Sequence, residues 1–339
     1  MNQTDTAIQG IYEVTIGVEH PLNAIQYWQQ FGYRIGDIGE LPAAAAKQLY
    51  GVDSHLHSIR LYHQDADHGL IRLLVWEQPI NQGLQMETMK SLGNRWTNAL
   101  TGDVLTILNH AEAAAAELPI KYTNAYWSVI YQQEKGRPFQ DPIVGVREVM
   151  LLQPLTRQVF FERFNYTVPN YGKINPDSFF KTSQITHAGI VVQDDRKESL
   201  RFYEEVLGLL RTLDDIDSTY DSSPLARYFF ELQPGESFTV TAFDDPRSSK
   251  EDWMAARSGR LYVVRFPQSI ELKNLWQRAQ PGCLGMSFYT YRVRGVEVYW
   301  LRVKASGATN VTDITANEFG ELSFSFVAPD GYFWTLISA

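Results

Sequence analysis

QITHAGIVVQDDRKESLRFYEEVLGLL, Gln184 to Leu210, is the stretch that decides the fold. Ile185 to Val192 is a short apolar run that reads as a strand, and strand alternation puts His187 on one face of it. Gln193, Asp194 and Asp195 form a polar break, with acidic residues suited to the start of a helix. Leu200, Tyr203, Val206 and Leu207 then fall at helical spacing, and Gly208 stops the segment. The order is strand, acidic cap, helix, glycine, strand.

That order recurs. NAIQYWQQFGYRIGD (Asn23 to Asp37) aligns with ESLRFYEEVLGLLRTLDD (Glu198 to Asp215), with Tyr27 and Trp28 lying 175 residues before Phe202 and Tyr203. Gly32 lies 176 before Gly208, and Glu13 lies 174 before His187. A near-constant offset across a whole strand–helix–glycine unit marks a repeated supersecondary element. The first copy continues through strands Tyr33 to Ile38, His57 to His63 and Leu70 to Glu77, with an alanine-rich helix at Leu41 to Tyr50. The later copy is expected to use Leu210 to Ile216, Arg227 to Leu232 and Ser237 to Phe243 as strands, so the unit is βαβββ. A second unit follows each, opening at LGNRW (Leu92 to Trp96) and LGMSF (Leu284 to Phe288), with helices at Asp103 to Leu118 and Gly295 to Ala305.

The expectation is therefore an α+β chain of four βαβββ modules forming two cupped mixed sheets. The N-terminal domain would span 1–170 (modules 7–80 and 90–166) and the C-terminal domain 180–339 (modules 184–246 and 283–339); modules can pair within each half or across the halves, and one cup per half is assumed. Thr167 to Ser178, polar and containing Pro and Gly, reads as the linker. RLYVVRFP, from Arg260, reads as an additional strand with no assigned partner.

Composition bounds the function. The chain has 339 residues, long for one domain. With 44% apolar and 20% charged residues it is ordinary globular material, and 18 Tyr, 18 Phe and 8 Trp tilt it toward sheet. A net charge of −9 argues against nucleic acid or an anionic membrane as partner. Cys283 is the single cysteine, which excludes an intrachain disulfide and a CxxC metal site. MNQTDTAIQG lacks the pattern of a leader, and no 18-residue apolar run occurs, so a cytoplasmic, soluble monomer or homodimer is expected.

THAGIVVQDDRKESLRFYEEVLGL and FVAPDGYFWTL (Phe326 to Leu336) resemble the vicinal oxygen chelate superfamily of glyoxalases, bleomycin-resistance proteins and extradiol dioxygenases. The resemblance implies a glyoxalase-like fold in which paired modules form a cleft. It also implies a divalent metal (Fe, Mn, Ni or Zn) held by His, Glu or Gln from the first and last strands of each module. Carried over residue by residue, those positions are His187, Thr239, Met286 and Thr335 in the second half. In the first half they are Glu13, Asn94, Leu73 and Phe160. One imidazole with two hydroxyls and a thioether is a poor set for a hard cation, so the usual metal centre is not expected.

Two functions stay open. One is binding of a small, apolar or aromatic organic ligand by His187, Thr239, Met286, Phe288, Thr335, Glu13 and Asn94, with no cofactor. The other is a lyase, isomerase or dioxygenase chemistry with His187 as the catalytic group. A scaffold whose cups are filled by side chains is a third possibility. Glu13 is expected to pair with Arg72, and Glu162 to face the first cup. His55 and His57 share a strand face and could form a metal pair, but the sequence points to no third ligand.

Overall fold

The computed structural model describes residues 7–132 and 143–339; residues 1–6, read above for a leader, and 133–142, within the second module, lie outside the described residues. The first module contains β1 (Ile8–Gly17), α1 (Pro21–Gln30), β2 (Tyr33–Leu41), α2 (Ala43–Tyr50), β3 (Leu56–His63) and β4 (Leu70–Trp76). The second contains β5 (Ser91–Leu92), β6 (Arg95–Thr101), α3 (Val104–Ala114), β7 (Lys121–Tyr122), β8 (Tyr126–Gln132), β9 (Ile143–Leu152) and β10 (Arg157–Phe164). The third contains β11 (Thr182–Gln193), β12 (Leu210–Thr219), α4 (Pro224–Phe229), β13 (Ser237–Asp244) and β14 (Arg260–Phe266). After β15 (Lys273–Asn274), the fourth contains β16 (Gly285–Val293), α5 (Val296–Lys304), β17 (Thr315–Ala316), β18 (Leu322–Val327) and β19 (Phe333–Ser338).

In every module the first and last strands are parallel neighbours: β1 with β4, β6 with β10, β11 with β14 and β16 with β19. The modules join across the halves. β1 pairs antiparallel with β16, giving one sheet of order β17-β18-β19-β16-β1-β4-β3-β2. β11 pairs antiparallel with β6, giving the other, β12-β13-β14-β11-β6-β10-β9-β7, with β8 on β9. Modules one and four thus make the first cup and modules two and three the second, which corrects the expectation of one cup per half. Repeated modules offer nearly equivalent first-strand edges, so local alternation does not distinguish one partner from another.

One face of each sheet packs into a continuous core with the helices, drawing Trp28 from α1, Ile107 from α3, Tyr203 and Tyr299, together with Phe160, Ile190 and Trp334 from the strands. The opposite faces are the cups. Three local expectations change. Arg227 to Leu232 is not a strand: α4 starts at Pro224, with the Ser223 hydroxyl accepting from Ala226 N at 3.2 Å. Ser before Pro is an N-cap followed by the first helical position. RLYVVRFP is β14, the last strand of module three, held between β11 and β13. The segment after His187 is a 3₁₀ turn (Asp194–Leu200) and a π-helical turn (Phe202–Val206) rather than one regular helix.

Candidate functional site

Backbone register identifies the floor of each cup. In the first, Glu13 on β1 lies opposite Thr290 on β16, and their last-strand neighbours are Leu70 and Thr335. In the second, His187 on β11 lies opposite Asn98 on β6, and the neighbours are Arg260 and Val159. Two first-strand assignments from sequence are therefore four residues early: Asn94 should be Asn98, and Met286 should be Thr290. Asn94 is buried in the turn before β6, donating to Thr88 O at 2.9 Å, while Met286 lies in the main core beside Ile16. Thr239 belongs to the third strand of its module and bonds Asp217 at 3.2 Å, on the face away from Phe238 and Val240. Leu73 and Phe160 also point into the core. Gly93 lies in the turn before β6, whereas Gly285 opens β16, and the floor residue follows each by five positions.

The first cup is filled by its own side chains. Glu13 is fully buried and accepts from Arg60 Nε at 2.9 Å and Arg72 Nη1 at 2.6 Å, so the expected pairing with Arg72 is present and is doubled. Burial alone would raise the Glu13 pKa, but the two guanidiniums outweigh it and hold the carboxyl below its ordinary value. The loop between β17 and β18 folds over this pair. Glu321 takes Arg60 at 2.8 Å, and Glu318 lies 3.3 Å from Arg72 while accepting from Tyr50 Oη at 2.7 Å and Ser58 Oγ at 2.5 Å. Gly39 permits this contact, since a Cβ there would come within 1.9 Å of the Glu318 carbonyl oxygen. Phe288 stacks on Tyr50, ring centroids 5.5 Å apart, and Thr335 bonds Ser325 at 3.1 Å. Glu13, Phe288 and Thr335 are thus engaged in internal packing. Glu162, expected at this cup, sits instead in the second sheet, paired with Arg147 at 2.9 Å and accepting from Val104 N at the start of α3.

The second cup keeps a cavity of about 180 Å³. Its walls include Trp96 from β6, Val159 from β10, Phe238 from β13, Tyr262 and Val264 from β14, and Phe229 and Phe230 from α4. Trp96 lies flat over Gly189, where any Cβ would fall 2.0 Å from the indole. Its ring meets Phe229 and Phe230 at 5.7 and 5.8 Å, near-perpendicular in both cases. The polar groups on this lining are few: His187, Asn98, Glu148 from β9 and Ser223 beside α4.

His187 is held on three sides. Its ring lies 5.7 Å from Phe161, 5.2 Å from Tyr262 and 5.9 Å from Tyr171. Tyr171, on the segment expected to be only a linker, brings its Oη to 3.1 Å from Nδ1. Thr186 Oγ1 is also 3.1 Å from Nδ1 and donates its hydrogen to Asn98 O at 3.0 Å. Nδ1 is thus engaged by two hydroxyls, Tyr171 and Thr186, which leaves Nε2 as the ring nitrogen available to a ligand. Burial, assisted by Arg260 and Arg163, holds His187 well below its ordinary pKa, so the ring is neutral. Glu148 is the opposite case. Burial pushes its carboxyl up to about 7 against one hydrogen bond, from Ser128 Oγ at 3.3 Å.

Neither donor set suits a divalent metal. The second cup's floor offers His187 and Asn98 beside Arg260 and Val159, and Arg260 is a cation tied to Asp244 at 2.7 Å. The first cup's one carboxylate already carries two arginines. Sequence reasoning found His187 and missed Asn98, Glu148, Tyr171 and Tyr262. Strand parity together with the correct β6 register would have found Asn98. Nothing local marks Glu148, which arrives from the third strand of the partner module.

Residues 184–336 match the family model of the Glyoxalase/Bleomycin resistance protein/Dioxygenase superfamily. Among solved structures, glyoxalase I from Zea mays aligns over 97% of this chain and 92% of its own, at TM-score 0.51 and 12% identity. A point mutant of the same maize enzyme aligns over 99% and 95%, at 0.54 and 12%. A Bacillus subtilis protein provisionally named as a dioxygenase aligns over 98% and 86%, at 0.56 and 14%. Identities this low show the fold alone. Among curated proteins, none matches in sequence. No helix among the described residues is long and apolar enough to cross a membrane. Residues 184–336 are therefore similar to the glyoxalase, bleomycin-resistance and dioxygenase superfamily, and along its whole length the chain carries the glyoxalase-like fold.

Proposed function

We propose that the second cup binds a small organic molecule, with an aromatic or apolar body and one oxygen function, without the divalent metal common in this superfamily. The reading rests above all on one observation. A cavity of about 180 Å³ has a mostly apolar wall, and His187, its Nδ1 engaged by Tyr171 and Thr186, stands at its floor beside Asn98. A pocket with apolar walls and few polar groups selects a ligand by shape and orients it by those groups. The cavity suits a single ring, whose hydroxyl would hydrogen-bond to His187 Nε2 while Trp96 and Phe229 contact its faces. The test is thermal stabilisation by a panel of phenols, cyclic ketones and their hydrocarbon analogues. Phenols should raise Tm in the EDTA-treated protein and raise it less in His187→Ala. Equal stabilisation by toluene and phenol would remove the role given to His187.

Glu148 supports a second reading, a metal-independent proton-transfer enzyme. A carboxyl titrating near 7 is available in both forms at neutral pH, as a general acid or base requires. Cyclohexanone in deuterated buffer is a direct probe. Faster deuterium uptake at its α-carbons with wild type than with Glu148→Gln would support catalysis, and equal rates would leave binding alone.

A further inference from the structure

The two histidines flanking Leu56 acquire a third partner once the chain folds. β2 and β3 pair antiparallel with Glu40 directly opposite His57, and β2 is the edge strand of the first sheet. His55 precedes β3 by one residue, and its backbone is anchored by Glu77 N donating to His55 O at 2.9 Å. Strand alternation puts His55 and His57 on one side, with ring centroids 4.6 Å apart. Glu40 Oε2 then lies 3.7 Å from His55 Nε2 and 3.5 Å from His57 Nδ1. Among the described residues this is the one group of three His, Cys, Asp or Glu side chains whose ligand atoms converge.

We propose that Glu40, His55 and His57 form a binding site for a borderline divalent cation of the zinc class, separate from both cups. A tetrahedral zinc with bonds of about 2.1 Å has ligand–ligand edges of about 3.4 Å. The two edges that Glu40 makes are therefore within a few tenths of an ångström of a metal-ready spacing. Two imidazoles and one carboxylate suit zinc, nickel or copper rather than magnesium or calcium. Three protein ligands leave a fourth position facing solvent, since Glu40 and His57 are exposed. Bound there, the ion ties the edge strand β2 to β3, so it stabilises the folded chain in proportion to its occupancy.

Calorimetric titration of the EDTA-treated protein with ZnCl₂ at pH 7.5 tests this, with Tm measured alongside. One zinc per chain should bind, and Tm should rise with zinc concentration. His57→Ala and His55→Ala should each abolish the event, and Glu40→Gln should weaken it by at least tenfold. His68→Ala, which alters a histidine bonded to Asp67 and Ser258, should leave it unchanged. Circular dichroism of each variant without metal separates loss of binding from loss of fold. If zinc binding survives His57→Ala or is instead lost in His187→Ala, the site is elsewhere and the proposal fails. Absence of binding by folded wild type overturns it equally.

Discussion

His187 and Glu148 respond to burial in opposite electrostatic senses. A low-dielectric wall disfavours charge, so the imidazole loses its proton readily and the carboxyl keeps one. At pH 7 the cavity therefore presents a neutral imidazole and a half-protonated acid. Phenol binding should accordingly change across a transition near pH 7, and that transition should vanish in Glu148→Gln while the binding itself remains. A pH profile of the dissociation constant checks this. In the first cup the decisive residue is Glu13. Replacing it by Gln leaves Arg60 and Arg72 buried beside a neutral group, at a cost of about 3–5 kcal/mol for a broken buried pair. Urea denaturation should show that loss, with phenol binding in the second cup retained by the protein that remains folded. His63 supplies a further residue-scale test. Burial lowers its pKa to about 4, whereas an unfolded histidine titrates near 6.5. The unfolded chain thus takes up the proton first, so stability is full above 6.5 and declines as pH falls toward 4. His63→Phe should flatten that decline.

The elements that close the second cup are α4 and the segment around Tyr171. Phe229 and Phe230 from α4 meet Trp96, Phe238 and Phe266 in a cluster that fills the end of the cup away from Tyr171. Tyr171 and Val168 pack on Leu100 and Phe161 at the other end. His187 lies between these two plugs, which is why the cavity is small. Phe229→Ala should cost about 3–5 kcal/mol as a large-to-small core change and should admit two-ring ligands such as naphthol. Chemical denaturation and the same binding titration measure the two effects. Much of this architecture is legible in the chain: the four strand–helix units, the alanine-rich α2 and α3, and β14 as a strand. α4 was also legible in principle, because Ser223–Pro224 is a helix start, yet Arg227 to Leu232 reads equally as an apolar strand run. The four-residue displacement at Asn98 and Thr290 has a different origin. Asn94 falls in the turn before β6, and Met286 lies on the core side of a register shift in the β1–β16 pairing, so local alternation misplaces both and only cross-strand register locates Asn98 and Thr290.

At the scale of the whole molecule, the two cups differ in content. One holds a buried ion network under the loop carrying Glu318 and Glu321; the other holds a cavity, with Arg260 and Val159 at the last-strand positions of its floor. The nested pairing, one with four and two with three, makes each half incomplete. β1 lacks its neighbour β16 in a fragment of residues 1–170, and β11 lacks β6 in residues 180–339. Each fragment alone should therefore lack cooperative unfolding, and the two expressed together should purify as one complex. Size-exclusion chromatography with thermal melts checks this outcome. The repeat discloses how many modules there are, but partner choice depends on contacts between residues as distant as Ile11 and Tyr291, which no local pattern encodes.

The central claim is that the second cup takes its ligand through His187 and without a metal. Titrating phenol into the protein by calorimetry, before and after EDTA treatment and in His187→Ala, tests it most directly. The dissociation constant should be the same with and without EDTA and should weaken about tenfold in His187→Ala, the value of about 1.4 kcal/mol for one hydrogen bond. Binding that needs added divalent metal, or that is unchanged in His187→Ala, would contradict the claim.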